Sequence, residues 1–164
     1  MGKWEQLEAN LRVCPQLVST GNRLDYRVLW QLYRSRRAVI RETDEVVGPR
    51  TIFGFVACRP TALLEWGEVS TAWIAPEKSG NGLLGEMLKE LLAATAPGTK
   101  LFAFSDSEAF IAAACREGFY VASASVDVGL DVILWAESLG IRDRLPKSLG
   151  GDNENSNRHV LIRL

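Results

Sequence analysis

The chain has 164 residues, of which 47% are hydrophobic and 24% charged. That length suits one domain with its own core, and one domain over residues 1–164 is expected; the composition excludes a wholly disordered or collagen-like chain. No apolar run reaches the roughly 18 residues that cross a bilayer, no secretory signal is expected from the start of the chain, and the near balance of 19 basic and 20 acidic residues gives no reason to expect nucleic-acid binding.

The first third reads as helical. Trp4, Leu7 and Leu11 recur at helical spacing, and Pro15 is expected to stop that run. Residues 19–22 read as a loop. Asp25 is placed to cap a second helix whose apolar face is Val28, Leu29, Leu32 and Tyr33, with Arg34, Arg36 and Arg37 at its C-terminal end. Short strand-like runs follow at 38–41, 51–58 and 68–75, with a turn in 44–50, and should pair as an antiparallel meander. After Pro76 the period changes. Leu83, Leu84, Met87, Leu88, Leu91 and Leu92 mark one face of a helix, with Glu86, Lys89 and Glu90 outward, until Ala96-Pro97-Gly98 ends it. Residues 100–104 read as a buried strand. Asp106 or Ser107 caps a helix over 109–116, which Gly118 closes before extended chain at 119–121. A further helix is expected over 130–139, with Trp135 and Leu139 on one face and Gly140 as its stop. A mobile Gly-rich loop is expected at 150–157, and a last strand at 158–164 with Val160, Ile162 and Leu164 on one side. This order predicts an α/β fold with a single mixed, mostly antiparallel sheet flanked by helices.

Cys14, Cys58 and Cys115 form no disulfide framework by number or spacing, and with the single His159 they give no metal-ligand pattern, so no metal is expected. A reducing, cytoplasmic setting fits that cysteine usage. Residues 1–60 hold ten basic and six acidic side chains, and the remainder nine and fourteen. That asymmetry reads as a solvated face, or as a means of steering an anionic ligand or partner.

The informative stretch runs from Trp73 to Gly85. A strand stops at a proline, a Gly-rich turn follows, and a helix begins. Such a turn leaves backbone N–H groups unpaired at the positive end of a helix. Gly80 and Gly82 let a phosphate approach those amides, and Lys78 adds a point charge. A purely structural loop is the competing reading. The pattern is neither a P-loop, for no Gly-Lys-Ser/Thr follows, nor a dinucleotide fingerprint, for no βαβ unit surrounds it.

Residues 68–85, EVSTAWIAPEKSGNGLLG, resemble the central motif of the GNAT superfamily of N-acetyltransferases, where a strand leads into Arg/Gln-x-x-Gly-x-Gly/Ala and a leucine-rich helix. Ser105-Asp106-Ser107, the helix to Glu117 and Gly118-Phe119 stand where that family has an Asn-containing loop, a helix and a Gly-Phe pair. The likeness covers residues 51–121 well. It implies a GNAT-like fold and acetyl-CoA as co-substrate. Two strands would splay so that the pantetheine arm pairs with the backbone of Trp73 and Ile74, and the diphosphate would meet Ser79, Gly80, Asn81, Gly82, Leu83 and Leu84. Ser107 would hydrogen-bond near the pantetheine. Ser79 replaces the family's Arg or Gln, and Leu84 its second small residue.

The resemblance further implies direct transfer to an amine, with a base for the amine proton and an acid for the leaving thiolate. Glu68, at the start of the motif-bearing strand, is the candidate base; it also reads as a solvated carboxylate at a strand edge, and Glu65 is its rival. The family's Tyr acid falls on Ala113 or Ala114, which leaves Tyr120 as the candidate acid, with Cys115 as an alternative; both also read as packing residues. Trp66 and Trp73 read as packing or as substrate-lining aromatics. His159 reads as a surface residue. The acceptor is a small-molecule or peptide amine, no membrane partner is implied, and a homodimer is possible. Two other readings stay open: a catalytically inactive coenzyme A sensor, and an interaction module whose Gly-rich turn is structural and whose second-helix arginines meet an acidic partner.

Overall fold

A computed structural model of the chain describes residues 2–18, 25–44, 50–122, 131–154 and 157–164. The loop expected at 19–22, most of the turn in 44–50, the first residue of the helix expected at 130–139 and positions 155–156 of the expected Gly-rich loop lie outside the described residues. In chain order the elements are α1 (Lys3–Arg12), α2 (Pro15–Val18), α3 (Tyr26–Arg34), β1 (Ala38–Glu42), β2 (Ile52–Pro60), β3 (Trp66–Ile74), α4 (Leu83–Ala94), β4 (Lys100–Ser105), α5 (Glu108–Arg116), β5 (Tyr120–Val121), α6 (Val132–Ser138) and β6 (His159–Arg163). The strands form one mixed sheet in the order β1-β2-β3-β4-β6-β5. β1 pairs antiparallel with β2, β3 pairs parallel with β4, and β6 pairs antiparallel with both β4 and β5. The α/β class with a mixed, mostly antiparallel sheet is as the sequence predicts. Among the described residues no helix is long and apolar enough to cross a membrane, and no group of three His, Cys, Asp or Glu side chains is placed to hold a metal ion.

The chain divides into two compact units, Met1–Arg59 with Ser70–Thr95, and Pro60–Val69 with Ala96–Leu164. In the first, Leu7 and Leu11 of α1, Leu29 and Leu32 of α3, and Ile40, Ile52 and Phe55 of the strands make a buried cluster. Asp25 caps α3 as expected, its carboxylate accepting from the amides of Arg27 at 2.8 Å and Val28 at 2.9 Å. Pro15 does not simply end α1. It opens α2, because a proline at the first helical position surrenders an N–H that has no partner there anyway. Met87, Leu88 and Leu91 carry the buried face of α4 while Glu86, Lys89 and Glu90 face outward. Glu90 pairs with Arg41 of β1. Cys14 and Cys58 are buried cysteines outside any disulfide, and burial pushes the Cys14 thiol up from its ordinary value. Arg34, Arg36 and Arg37 are exposed.

In the second unit, Trp66, Phe102, Trp135, Leu145, Val160 and Ile162 are the centre of the core. Phe102 meets Trp135 edge-on with ring centroids 5.2 Å apart, and Trp66 lies 5.4 Å from Trp135. Trp66 is therefore a core residue. Ser107 caps α5 by accepting from the Phe110 amide at 3.3 Å, and Gly118, at φ 90°, turns the chain out of the helix. Arg163 donates to the Glu117 carbonyl at 3.0 Å, placing a cation at the negative end of α5. β6 lies between β4 and β5, so Val160, Leu161 and Ile162 are all buried and Leu164 is exposed. The one-sided alternation expected there is corrected: a strand flanked by two others and covered on both faces loses its polar side. The stretch after Gly150 is also not the open loop expected. Gly151 is buried, and a Cβ there would lie 2.2 Å from the Leu145 carbonyl oxygen. Pro146 and Asn153 form a parallel bridge around it.

Candidate functional site

The Gly-rich turn belongs to the first unit. Pro76–Lys78 makes one 3-10 turn, and its last groups close on themselves. The Lys78 amide donates to the Ala75 carbonyl at 2.9 Å, and the Ser79 amide and hydroxyl both donate to the Pro76 carbonyl, at 3.2 and 2.7 Å. Ser79 therefore has its own donors engaged. Gly80 and Gly82 follow with φ of 84° and 75°, a region that a side chain makes costly. Gly82 caps α4, and the first amide bonded back within the helix is that of Glu86, to the Gly82 carbonyl at 3.1 Å. Between these points the amides of Gly80, Asn81, Gly82, Leu83, Leu84 and Gly85 have no acceptor among the described residues. A Cβ built at Gly80, Gly82 or Gly85 would meet nothing within 4 Å. Successive amides with alternating backbone hand, at the positive end of a twelve-residue helix, are an arrangement whose chemistry suits an anion. The Lys78 ammonium lies 5.5 Å from the centre of the Phe53 ring.

β3 carries the rest of the motif. Trp73 and Ile74 are half-buried at its end, and the Trp73 ring lies 5.5 Å from that of Phe55. Earlier on the strand, Thr71 adopts φ 56°. A β-branched residue there is a true outlier within a strand that runs on through it. The ladder with β4 comprises the pairs Trp66–Lys100, Gly67–Leu101 and Glu68–Phe102.

Glu68 is thus the last β3 residue paired with β4, and it is not a solvated strand-edge carboxylate. Arg144 grips both of its oxygens. Nη1 donates to Oε2 at 3.0 Å and Nη2 donates to Oε1. The side chains are 15% and 21% exposed. The guanidinium also lies 4.5 Å above the ring of Phe104, two residues past the end of the ladder on β4. Glu65 pairs with Lys100 at 3.8 Å. Tyr120 is half-buried on β5. Its hydroxyl is buried with no hydrogen-bond partner among the described residues, and burial raises its pKa above the ordinary tyrosine value. Ala113 and Ala114 are buried, Cys115 is an exposed free thiol on α5, and His159 is exposed.

Sequence reasoning missed Arg144, Thr71 and Gly85. The first is 76 positions from its partner and leaves no local signal. A threonine in a strand reads as ordinary. Gly85 did carry a signal, since a glycine in the first turn of a leucine-rich helix costs stability unless something must come close to it.

No protein-family model and no curated protein sequence matches the chain. Solved structures do. The protein Rv2747 from Mycobacterium tuberculosis, in complex with CoA, is similar with a TM-score of 0.59 at 17% identity, over 96% of this chain and 95% of that one. A GNAT superfamily phosphinothricin acetyltransferase from Sinorhizobium meliloti, in complex with AcCoA, is similar with a TM-score of 0.56 at 14% identity, over 99% of this chain and 84% of that one. N-acetylglutamate synthase from Neisseria gonorrhoeae, complexed with coenzyme A and N-acetyl-glutamate, is similar with a TM-score of 0.53 at 18% identity, where 99% of this chain spans 33% of that longer one. Over nearly its whole length the chain thus shares the fold of these solved structures, one of them described as a GNAT superfamily acetyltransferase.

Proposed function

We propose that this chain is an N-acetyltransferase that moves an acetyl group from acetyl-CoA to an amine. The observation that carries the reading is the run of acceptor-free amides from Gly80 to Gly85 at the start of α4, on a GNAT fold. Open space in front of Gly80, Gly82 and Gly85 fits a diphosphate, which accepts hydrogen bonds from several amides at once. The backbone of Trp73 and Ile74 on β3 holds the pantetheine arm, and Lys78 and the Ser107 hydroxyl add polar contacts. Acetyl-CoA supplies an activated acyl thioester. Glu68 takes the amine proton as the nitrogen attacks the acyl carbon. Tyr120 gives its proton to sulfur as the carbon–sulfur bond breaks, and burial holds that proton on the phenol until the thiolate develops.

A second reading has its own support. Alanines stand at the family's usual acid position, and Arg144 occupies both oxygens of Glu68. On that reading the chain binds coenzyme A without transferring from it.

Calorimetric titration with acetyl-CoA tests the first step. Binding to the native chain that is lost in Gly82→Glu, where a carboxylate enters the anion cradle, supports both readings. No heat at millimolar ligand removes both. Thiol release over a panel of amines then separates transferase from sensor.

A further inference from the structure

We infer that the Glu68–Arg144 fork selects an acceptor that carries a carboxylate beside its amine, of the α-amino acid type, and that this carboxylate replaces Glu68 on Arg144 and so frees Glu68 to act as base. The inference rests on the acetyl-transfer reading above and specifies its substrate class.

The argument is one of charge pairing. A base must receive a proton, yet both oxygens of Glu68 accept from the two terminal nitrogens of Arg144. The pair is mostly hidden from water, and the guanidinium is further held against Phe104. Breaking a partly buried pair by engaging one partner leaves the other charge stranded, which is costly. A simple ammonium that approached Glu68 would strand Arg144. A simple carboxylate that approached Arg144 would strand Glu68. An α-amino acid brings both charges, so carboxylate meets guanidinium and ammonium meets Glu68, and no charge is left alone. The guanidinium fork suits a carboxylate in two-point contact. The fork also stands where the β3–β4 ladder ends at Glu68 and Phe102. In the step itself, an ammonium N–H bond breaks as an O–H bond forms on Glu68. The freed lone pair makes the new N–C bond, the C–S bond breaks as the sulfur takes the Tyr120 proton, and the nitrogen sheds its second proton to restore the Tyr120 phenol, leaving a neutral amide and a free thiol.

The test uses the full chain and a panel of α-amino acids, each with its decarboxylated amine and its deaminated acid; leucine, 3-methylbutylamine and 4-methylpentanoate are one such set. Calorimetry without acetyl-CoA reads binding, and thiol release reads turnover. An amino acid that binds and reacts roughly 10- to 100-fold better than either of its partners is the expected result, the size of one charge-assisted contact. Arg144→Lys and Arg144→Met should erode that preference and leave acetyl-CoA affinity unchanged. Glu68→Gln removes the internal competitor, so the deaminated acid should bind more tightly while thiol release falls. A salt bridge of purely structural value would not move those two quantities in opposite directions. Amines that equal their amino acids, a preference that survives in Arg144→Met, or a panel in which nothing binds would each overturn the inference while acetyl-CoA binding still stands. Failure of acetyl-CoA to bind would instead overturn the transferase reading, and this inference with it.

Discussion

Asn10 of α1 donates its side-chain amide to the Glu42 carboxylate at the end of β1, at 2.7 Å, and accepts from Gln6 at 3.1 Å. Asn10 is only 7% exposed, a buried polar residue among the hydrophobic side chains of its unit. Asn10→Leu fits the apolar surroundings but strips Glu42 of its donor. A loss of about 1–3 kcal/mol is expected, read as a lower midpoint in urea denaturation. An unchanged midpoint would mean that water replaces the amide without cost.

Trp135 is the ring shared by Phe102 and Trp66 in the core of the second unit. Trp135→Ala empties that centre and is expected to cost about 3–5 kcal/mol, the range for large aromatic truncations in cores. Trp135→Phe keeps one ring in place and should cost distinctly less. Thermal unfolding followed by near-ultraviolet circular dichroism ranks the two.

Gly85→Ala separates stability from binding. No neighbour lies within 4 Å of the added methyl group, and alanine is the better helix former, so a gain of about 0.5–1 kcal/mol is expected. The same methyl group narrows the approach to the amides, so acetyl-CoA affinity should fall. A stabilised variant of undiminished affinity would show that the anion cradle ends before residue 85.

Tyr120→Phe removes a buried hydroxyl that has no partner among the described residues. The variant should gain up to about 1–3 kcal/mol at neutral pH, the cost of an unsatisfied buried polar group, while on the proposed transfer route thiol release should fall. The pH dependence has a definite sign. The folded chain holds the phenolic proton more tightly than the unfolded one, so this contribution is intact below the ordinary tyrosine value and is lost as pH rises through the raised one. The native chain should weaken between neutral pH and about pH 11 more than Tyr120→Phe does. Parallel alkaline losses in the two would refute that assignment.

The parts of this molecule that follow local rules can be read from its sequence. Asp25 before an apolar helical face, Ser107 before α5 and Gly118 after it are caps with fixed chemistry. The turn at Gly80 and Gly82 announces itself by residue type. Partnerships between distant elements cannot be read in that way. Nothing near Glu68 signals Arg144, and nothing in residues 158–164 says that the strand lies between β4 and β5 and so has no wet face. Trp66 reads the same in sequence whether it lines a pocket or meets Phe102 and Trp135. Pro15 follows local chemistry as well, but of the kind that opens a helix.

β3 carries a last consequence. The boundary between the two compact units falls within that strand, at Val69 and Ser70, and the chain changes unit again at Arg59–Pro60 and Thr95–Ala96. No single scission of the backbone can release either unit whole. Cleavage after Thr95 would leave the C-terminal fragment without Trp66, the residue that its aromatic centre needs. The two fragments are therefore obligate complements: separately expressed pieces should regain structure only on mixing, and an attempt to excise a minimal fragment of β3 and α4 would carry off part of the other core.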